Sequence, residues 1–191
     1  MSTRKIGIIL FFVGILAFCG AWLVWLYNER IEQLVVEYSE QKAQSFISHL
    51  QNGHIVRTTA DMDYIILEDG ESYIGLLSIP TLNLSLPVNK FWSYAALRNT
   101  PCRFSGDIES DSIVIAAHNY ASHFRNIANL EIGASVILTD VDGVEHRYAV
   151  AEITIVQPTD TALVVHSDFD LTLFTCTYTG QARVVVRCMR Y

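Results

Sequence analysis

An uncharged run of 22 residues, Ile6 to Tyr27, sets the first limit on how this chain can fold. As an α-helix it would be about 33 Å long, against a hydrocarbon core of roughly 30 Å. Arg4 and Lys5 precede the run, and the positive-inside rule then predicts a cytoplasmic N-terminus and an external chain from Asn28 onward. A cleaved signal peptide is the alternative, although the run is long for such a peptide and has no small-residue cleavage site at its end.

A second helix pattern follows the apolar run. Between Asn28 and Leu50 apolar residues recur with the spacing i, i+3, i+4, i+7, which predicts an amphipathic helix that ends near Gly53. This helix either continues the membrane helix as a stalk or folds back onto the following domain. Residues 51–62 are polar and unpatterned, and we interpret them as a linker.

The globular domain is predicted over residues 63–191 and is dominated by short strands. Strand candidates are Tyr73 to Ile79, Leu84 to Val88, Ser112 to Ala117, Ser135 to Thr139 and Glu145 to Val156, followed by a final hairpin. Two short helical pieces lie near Ser93 to Leu97 and Phe124 to Leu130. Many short strands separated by turn residues indicate an all-β barrel or sandwich.

The final hairpin brings two reactive side chains together. Asp170 to Thr175 alternates apolar and polar residues and ends at Cys176, while Arg183 to Arg190 is rich in β-branched residues. A short loop containing Gly180 separates the two segments. A hairpin therefore places the Cys176 thiol and the Arg183 guanidinium at the same opening.

A histidine stands at the end of another predicted strand. The apolar run Ser112 to Ala117 stops at His118, which is followed by Asn119 and Tyr120. A thiol, an imidazole and a guanidinium are side chains that covalent catalysis uses as a nucleophile, a proton carrier and a donor to a developing negative charge. Cys176, His118 and Arg183 are the candidates for these roles.

These residues carry a resemblance to a known family. The segment Thr172-Leu173-Phe174-Thr175-Cys176 resembles the TLxTC signature of the sortases, which are membrane-anchored cysteine transpeptidases of mostly Gram-positive bacteria. His118 falls where that family has its histidine, and Arg183 follows the cysteine at about the family's spacing. Many members have Gly before the His-Asn pair, where this chain has Ala117. The resemblance covers roughly residues 73–191.

The resemblance implies an eight-stranded sortase-type β-barrel with short helices, preceded by the transmembrane and amphipathic helices. It implies Cys176 as the nucleophile, His118 as the general acid and base, Arg183 as the oxyanion donor and Thr175 as a substrate-binding residue. The reaction would cleave an LPxTG-like sorting signal through a thioacyl enzyme and pass the protein to an amine of the cell wall, with no cofactor. The partners would be surface proteins with a C-terminal sorting signal and a peptidoglycan-precursor or pilin amine.

The predicted organisation is a cytoplasmic N-terminus over residues 1–5, an anchor over 6–27, a helical stalk and linker over 28–62 and a catalytic domain over 63–191. Pilin-polymerising sortases often carry an Asp-Pro-aromatic lid and a second membrane span, whereas Asp61-Met62-Asp63-Tyr64 lacks the proline and the chain ends at Tyr191. Wall anchoring is therefore favoured over polymerisation. Two further hypotheses are a secreted thiol peptidase that uses water as acceptor and a barrel that binds peptides without reacting with them.

The remaining cysteines and histidines show no metal-ligand spacing. With Cys19 in the membrane, an odd number of thiols remains outside, which leaves at least one unpaired. We interpret Cys102 and Cys188 as small buried hydrophobic residues rather than as a disulfide. His123 is expected on the surface or at a helix cap, and Asp140-Val141-Asp142-Gly143 is expected to be a hairpin turn rather than a calcium loop. A net charge of −7 argues against nucleic acid as a partner.

Overall fold

In a computed structural model the protein is described over residues 3–52, 55–59, 61–166 and 168–191, without the side chains of 3–5 and 52. Residues 1 and 2, Gly53 and the side chains of Arg4 and Lys5 therefore lie outside the described part. One long helix, α1 (Thr3–Asn52), opens the chain. Two compact units, Met1–Leu34 and Val35–Tyr191, make up the molecule.

The first unit is the apolar part of α1. From Ile6 to Tyr27 its side chains are exposed, and the Trp22 and Trp25 rings pack on each other with centroids 5.3 Å apart. A helix this long with apolar side chains on all sides is stable only where a nonaqueous medium covers it. The helix is long and apolar enough to cross a membrane and is compatible with a single-pass anchor.

The second unit begins with the amphipathic part of α1, which packs on the domain. Val35, Ala43 and Phe46 are buried, whereas Leu34 and Ile47 are exposed. Phe46 lies in an apolar cluster with Tyr73, and the Lys42 ammonium lies 2.9 Å from the Asp69 carboxylate. The amphipathic part of α1 therefore continues the apolar part as one helix and also packs on the domain, which combines the two predicted arrangements.

Ten strands follow in the described residues, and eight of them close into a barrel. They are β1 (Ile55–Val56), β2 (Tyr64–Ile66), β3 (Ser72–Ile79), β4 (Leu84–Asn89), β5 (Cys102–Ser105), β6 (Ile113–Ala116), β7 (Ser135–Asp140), β8 (Glu145–Val156), β9 (Leu171–Cys176) and β10 (Arg183–Arg190). The order β3-β4-β5-β6-β9-β10-β8-β7 is closed by pairing of β3 with β7. The predicted eight-stranded barrel is confirmed.

Two short strands extend the sheet, and the first of them, β1, lies in the predicted linker. β1 pairs with β2, and β2 pairs with the edge of β3, so Ile55 and Val56 are part of the sheet. Asp61, from the same stretch, forms ion pairs with Lys90 at 3.2 Å and with Arg103 at 2.9 Å. Within the stretch predicted to be a linker, residues 55, 56 and 61 are therefore attached to the sheet.

Four short helical segments connect the strands in the described part of the chain. They are a 3-10 turn (Pro80–Leu82), α2 (Tyr94–Leu97), a second 3-10 turn (Ile127–Asn129) inside the second predicted helical piece, and α3 (Thr161–Val165), which was not predicted. Ser93 caps α2, because its hydroxyl accepts a hydrogen bond from the Ala96 amide at 3.0 Å.

The predicted turn between β7 and β8 is present. Gly143 has a φ of +78°, which favours glycine, and its amide donates to the Asp140 carbonyl at 3.1 Å. The Asp140 carboxylate accepts from the amides of Asp142 and Val144 at 2.9 and 3.0 Å. Its side chain therefore holds the turn closed, as expected for a hairpin.

Side chains of the central strands alternate between the barrel interior and an outer face. Ile113, Ile115, Leu173 and Val186 belong to the interior core. Their neighbours in sequence, including Val114, Val185 and Phe174, form smaller apolar clusters outside the barrel. The outer clusters also contain Val164 of α3 and Phe104 of β5. An apolar groove therefore lies between the barrel wall and the elements that cover it.

Candidate active site

The cysteine sits between the histidine and the arginine because of strand register. β6 and β9 are parallel, with Ala116 opposite Phe174, so continuing the register by two residues places His118 opposite Cys176. β9 and β10 are antiparallel, with Arg183 opposite Cys176. Neighbouring strands lie about 4.8 Å apart, and directly opposite residues share a face. The structure therefore brings the three candidate residues together at one level of the sheet.

Thr175 ties the two parallel strands together at this level. Its hydroxyl donates a hydrogen bond to the Ala117 carbonyl at 2.8 Å, and the side chain is buried. The Ala117 amide in turn donates to the Phe174 carbonyl at 3.2 Å. The backbone that carries His118 is therefore fixed against the backbone that carries Cys176.

The Arg183 guanidinium is held near the mouth of the hairpin. Its Nη1 donates to the Gly180 and Ala182 carbonyls at 3.1 and 3.0 Å. Its other N–H groups have no protein acceptor among the described residues. A guanidinium has five donors, so these groups remain available to an oxygen bound beside Cys176.

All three side chains line one groove of about 270 Å³. Its apolar walls come from β5, β9, α2, α3 and the loop before α2: Trp92, Tyr94, Leu97, Phe104, Val164 and Phe174. Four of these rings form a ladder from Tyr94 through Trp92 and Phe104 to Phe174, with centroids 5.0, 5.8 and 5.2 Å apart. The ladder runs from solvent to the strand that carries the thiol. Sequence reasoning did not identify this wall, because its members come from separate segments.

His118 is half-buried beside this groove. Burial lowers its pKa below the ordinary value near 6.5, and the positive charge of Arg98 lowers the pKa further. Its imidazole has no hydrogen-bond partner among the described residues, and its ring contact is with Tyr120 at a centroid distance of 5.0 Å. The neutral imidazole is therefore the dominant form of the free enzyme at neutral pH.

The other two cysteines of the domain are remote from this chemistry. Cys102 and Cys188 are fully buried and unpaired, and burial raises the pKa of each thiol to about 12. Cys188 faces the barrel interior and Cys102 an outer apolar cluster. Their interpretation as small buried hydrophobic residues is confirmed.

The prediction for His123 is wrong. This residue is fully buried, with its Nε2 3.2 Å from the Asn99 carbonyl and 3.5 Å from the Ser39 hydroxyl of α1. Desolvation lowers the pKa of His123 to about 4, so its imidazole is neutral. Sequence reasoning missed this burial because Ser39 is far away in the chain.

A larger hollow of about 510 Å³ lies at the other end of β6. Six carboxylates line it: Asp61, Asp63, Asp107, Glu109, Asp140 and Asp142. Several of them are bound by cationic side chains, with Arg57 to Asp63 at 2.7 Å as one case. The hollow contains none of the three candidate catalytic residues, so the smaller apolar groove is the candidate active site.

The family model and the solved structures that match the chain belong to one family. The model of the sortase domain matches residues 77–191, more than half of the chain. None of the curated proteins compared with the chain matches it.

Solved structures of sortases resemble the fold. Sortase A from Corynebacterium diphtheriae has a TM-score of 0.56 and 26% identity over 63% of this chain, which spans 61% of that protein's chain. A sortase D5 transpeptidase from Clostridium perfringens has a TM-score of 0.58 and 21% identity, covering 85% of this chain and 99% of its own. Sortase C1 from Streptococcus agalactiae has a TM-score of 0.53 and 23% identity, covering 62% and 67%.

Proposed function

Because the chain belongs to the sortase family, we propose that it is a membrane-anchored cysteine transpeptidase that joins proteins with an LPxTG-like sorting signal to an amine of the cell wall. The observation that carries this proposal is the placement of Cys176 between His118 and Arg183 on one strand level, inside an apolar groove. A nucleophile, a proton carrier and a guanidinium around one point fit acyl transfer.

The proposed reaction has two halves. The Cys176 thiolate attacks the scissile carbonyl, and the Arg183 guanidinium stabilises the oxyanion that forms. Protonated His118 gives its proton to the leaving amine, which leaves a thioester on Cys176 and a neutral imidazole. That imidazole takes a proton from the incoming amine, which attacks the thioester, releases the thiolate and forms the new amide.

The low pKa of His118 affects how often the free enzyme is ready to react. The first half needs imidazolium and thiolate together, and the burial that lowers the histidine pKa disfavours the imidazolium. The second half needs the neutral imidazole, which the same burial favours. The site without substrate is therefore better suited to take the proton of the incoming amine than to begin the first half. The amount of imidazolium that is present for the first half depends on the coupling of His118 with the Cys176 thiolate.

The groove suits a short apolar segment of an extended peptide. Leu97, Val164 and Phe174 give it an apolar floor, and the exposed rings of Trp92 and Tyr94 form its outer wall. Apolar pockets with a few polar groups at one end are typical of ligand sites. A leucine and proline that precede the scissile bond match this chemistry, and Thr175 at the polar end is the proposed substrate contact.

Wall anchoring is favoured over pilin polymerisation by the position of the segment before the barrel. Among the described residues, none from 55–59 or 61–64 lines the groove. Asp61 instead binds Lys90 and Arg103, and the Lys90 ammonium lies 4.2 Å from the centre of the Tyr64 ring. In the described part of the chain, the segment where a lid was considered is therefore attached to the barrel outside the groove and does not cover Cys176.

The function is tested with the full chain in detergent micelles. Peptides with LPxTG-like and NPxTN-like signals are incubated with an amine-bearing peptidoglycan stem peptide or with a lysine peptide, and products are separated by mass spectrometry. We expect a ligated product with the stem peptide and a thioester adduct on the enzyme. Ligation to the lysine peptide alone would support polymerisation, and hydrolysis alone a thiol peptidase. If no signal forms an adduct, the proposal is wrong.

The proposed location is the cell membrane, with the domain outside and the N-terminus in the cytoplasm. Arg4 and Lys5 precede the apolar part of α1, which is the pattern of a cytoplasmic N-terminus. Protease added to intact cells stripped of their wall is expected to digest the chain from Asn28 onward, as detected with an antibody to the domain. Full protection in intact cells, together with digestion after permeabilisation, would reverse the orientation.

A further inference from the structure

Among the described residues, His118 lacks the polar partner that usually orients a catalytic base. In most nucleophile and base pairs a third polar group holds the base in place. Here the His118 imidazole has no hydrogen-bond partner among the described residues. Its orientation must therefore come from packing, and the aromatic ring packed against it belongs to Tyr120.

Tyr120 contacts two histidines at once. Its ring centroid lies 5.0 Å from that of His118 and 5.6 Å from that of His123, with interplanar angles of 37° and 46°. Both distances fall in the range of favourable ring pairs. The Tyr120 carbonyl also accepts the His123 amide at 3.0 Å, which folds the loop after His118 into a turn. The position of His123 therefore bears directly on the ring that packs against His118.

His123 is in turn held by α1. The Ser39 hydroxyl donates to the Asn99 carbonyl at 3.1 Å, and the His123 Nε2 approaches the same carbonyl at 3.2 Å. Ser39 and His123 are both buried, and Ser39 Oγ lies 3.5 Å from Nε2. The Asn99 carbonyl therefore joins three segments, which are α1, the loop after α2 and the loop after His118.

Three other polar side-chain atoms in the loop after His118 make no hydrogen bond that would hold the loop, among the described residues. His123 Nδ1, Asn119 Oδ1 and Ser122 Oγ are buried and have no hydrogen-bond partner among the described residues. Buried polar atoms without partners weaken the arrangement that contains them. The backbone of the loop is held by the Phe124 amide, which donates to the His118 carbonyl at 3.2 Å, and by the Arg125 amide, which donates to the Tyr120 carbonyl at 3.1 Å. Among the described residues, the orientation of the His118 ring therefore depends on ring packing, and the place of that packing on the contact with α1.

We infer that Tyr120 is a positioning residue for His118, and that the packed segment of α1 (Val35 to Phe46) sets its place through Ser39 and His123. The inference rests on the proposed role of His118 in acyl transfer. On this inference, the amphipathic part of α1 contributes to the geometry of the active site. The charged and titratable groups near the imidazole, among the described residues, are Arg98, Tyr120, His123, Cys176 and Arg183.

The first test is Tyr120→Ala in the full chain in detergent micelles, with Tyr120→Phe as the conservative control. Misplacement of a catalytic group by about 1 Å costs up to about 10²-fold, so we expect Tyr120→Ala to lower kcat by about 10-fold or more and to leave KM within about twofold. Tyr120→Phe keeps the ring and is expected to retain activity. If Tyr120→Ala does not fold, Tyr120→Leu replaces it, since leucine keeps apolar volume without a ring.

A second measurement needs no peptide substrate. The rate at which iodoacetamide alkylates Cys176, followed by peptide mass spectrometry across pH, carries an inflection from His118. Removing the Tyr120 ring exposes the imidazole, so the inflection is expected to move up toward about pH 6.5, while Tyr120→Phe leaves it in place. If no peptide reacts with any form of the enzyme, this measurement still tests the positioning of His118 separately from the proposed function.

The role of α1 is tested with Ser39→Ala and His123→Gln, using Ser48→Ala as the matched control. Ser48 lies on the same helix, is exposed and donates within the helix to Ser45 at 2.8 Å. We expect kcat to fall by about threefold or more in the first two variants and to stay unchanged in the third. Ser39→Ala added to Tyr120→Ala should cost nothing further, because both act through one route.

Two results would overturn the inference. One is a folded Tyr120→Ala enzyme with the kcat and the alkylation inflection of the wild type. The other is a set of Ser39→Ala and Tyr120→Ala effects that multiply in the double variant, which would mean that helix and ring act independently.

Discussion

Cys176→Ala is expected to abolish the covalent adduct with a sorting-signal peptide, whereas Cys102→Ala and Cys188→Ala retain it. The physical reason is the state of each thiol. Burial raises the pKa of Cys102 and Cys188 to about 12, so only about one molecule in 10⁵ carries either thiolate at pH 7. Cys176 is only half-buried and lines the groove with His118 and Arg183. The measurement is the intact mass of the full chain after incubation with a peptide-based thiol trap.

The two buried cysteines act as controls with an effect of their own. Each fills space in a packed cluster, so replacement by alanine leaves a small cavity and is expected to lower the free energy of unfolding by about 1 kcal/mol. In thermal unfolding, Cys102→Ala and Cys188→Ala should therefore be less stable than Cys176→Ala, although they are the variants that keep activity. An adduct on the Cys176→Ala enzyme would remove the proposed mechanism.

Local patterns in the sequence were enough to predict the core of the site. Alternating apolar residues and a short loop determine the hairpin of β9 and β10, and the observed pairing of Arg183 with Cys176 is the predicted one. The apolar run before His118 predicts β6. The pairing of β6 with β9 is parallel and joins segments far apart in the chain, so no local pattern predicted it.

What the sequence did not predict depends on contacts between distant segments. His123 is buried by Ser39, 84 residues earlier, and its polar character suggested a surface position. β5 pairs with β4 through a single residue pair, and its position depends on its pairing with β6. Such a strand has little local sequence pattern from which it could be predicted. The five-residue α3 is too short to show helical periodicity and is held by Val164 against the outer face.

Two arginines on β10 offer the sharpest test of the site, because they share the outer face of one strand. Arg183 lies opposite Cys176 and Arg187 opposite Thr172, and four residues of strand separate them by about 13 Å. Only one of them can therefore reach a carbonyl beside the thiol. The groove contains Arg183 and not Arg187.

The contacts of Arg183 and Arg187 indicate different roles for the two side chains. The Arg187 guanidinium binds Glu152 at 2.9 Å and the Leu163 carbonyl at 2.6 Å, and its side chain is 13% exposed. It also lies 5.5 Å from the centre of the Phe169 ring. These contacts join β10 to β8 and α3, so Arg187→Ala is expected to lower the free energy of unfolding by about 1 to 3 kcal/mol. The Arg183 side chain bonds only to carbonyls of its own loop and strand end among the described residues.

Arg183→Ala is therefore expected to lower kcat/KM by about 10²-fold or more, which is the scale of losing an oxyanion donor. Arg183→Lys keeps the charge but loses the planar fork of donors, so an intermediate loss is expected. Arg187→Ala is the matched control: the same change on the same face of the same strand, with kcat/KM close to the wild type at temperatures where it stays folded. Both variants are compared by peptide ligation and thermal unfolding. A folded Arg187→Ala enzyme without activity, beside an active Arg183→Ala enzyme, would place the oxyanion donor four residues further along β10 and would separate the chemistry from the Cys176 level.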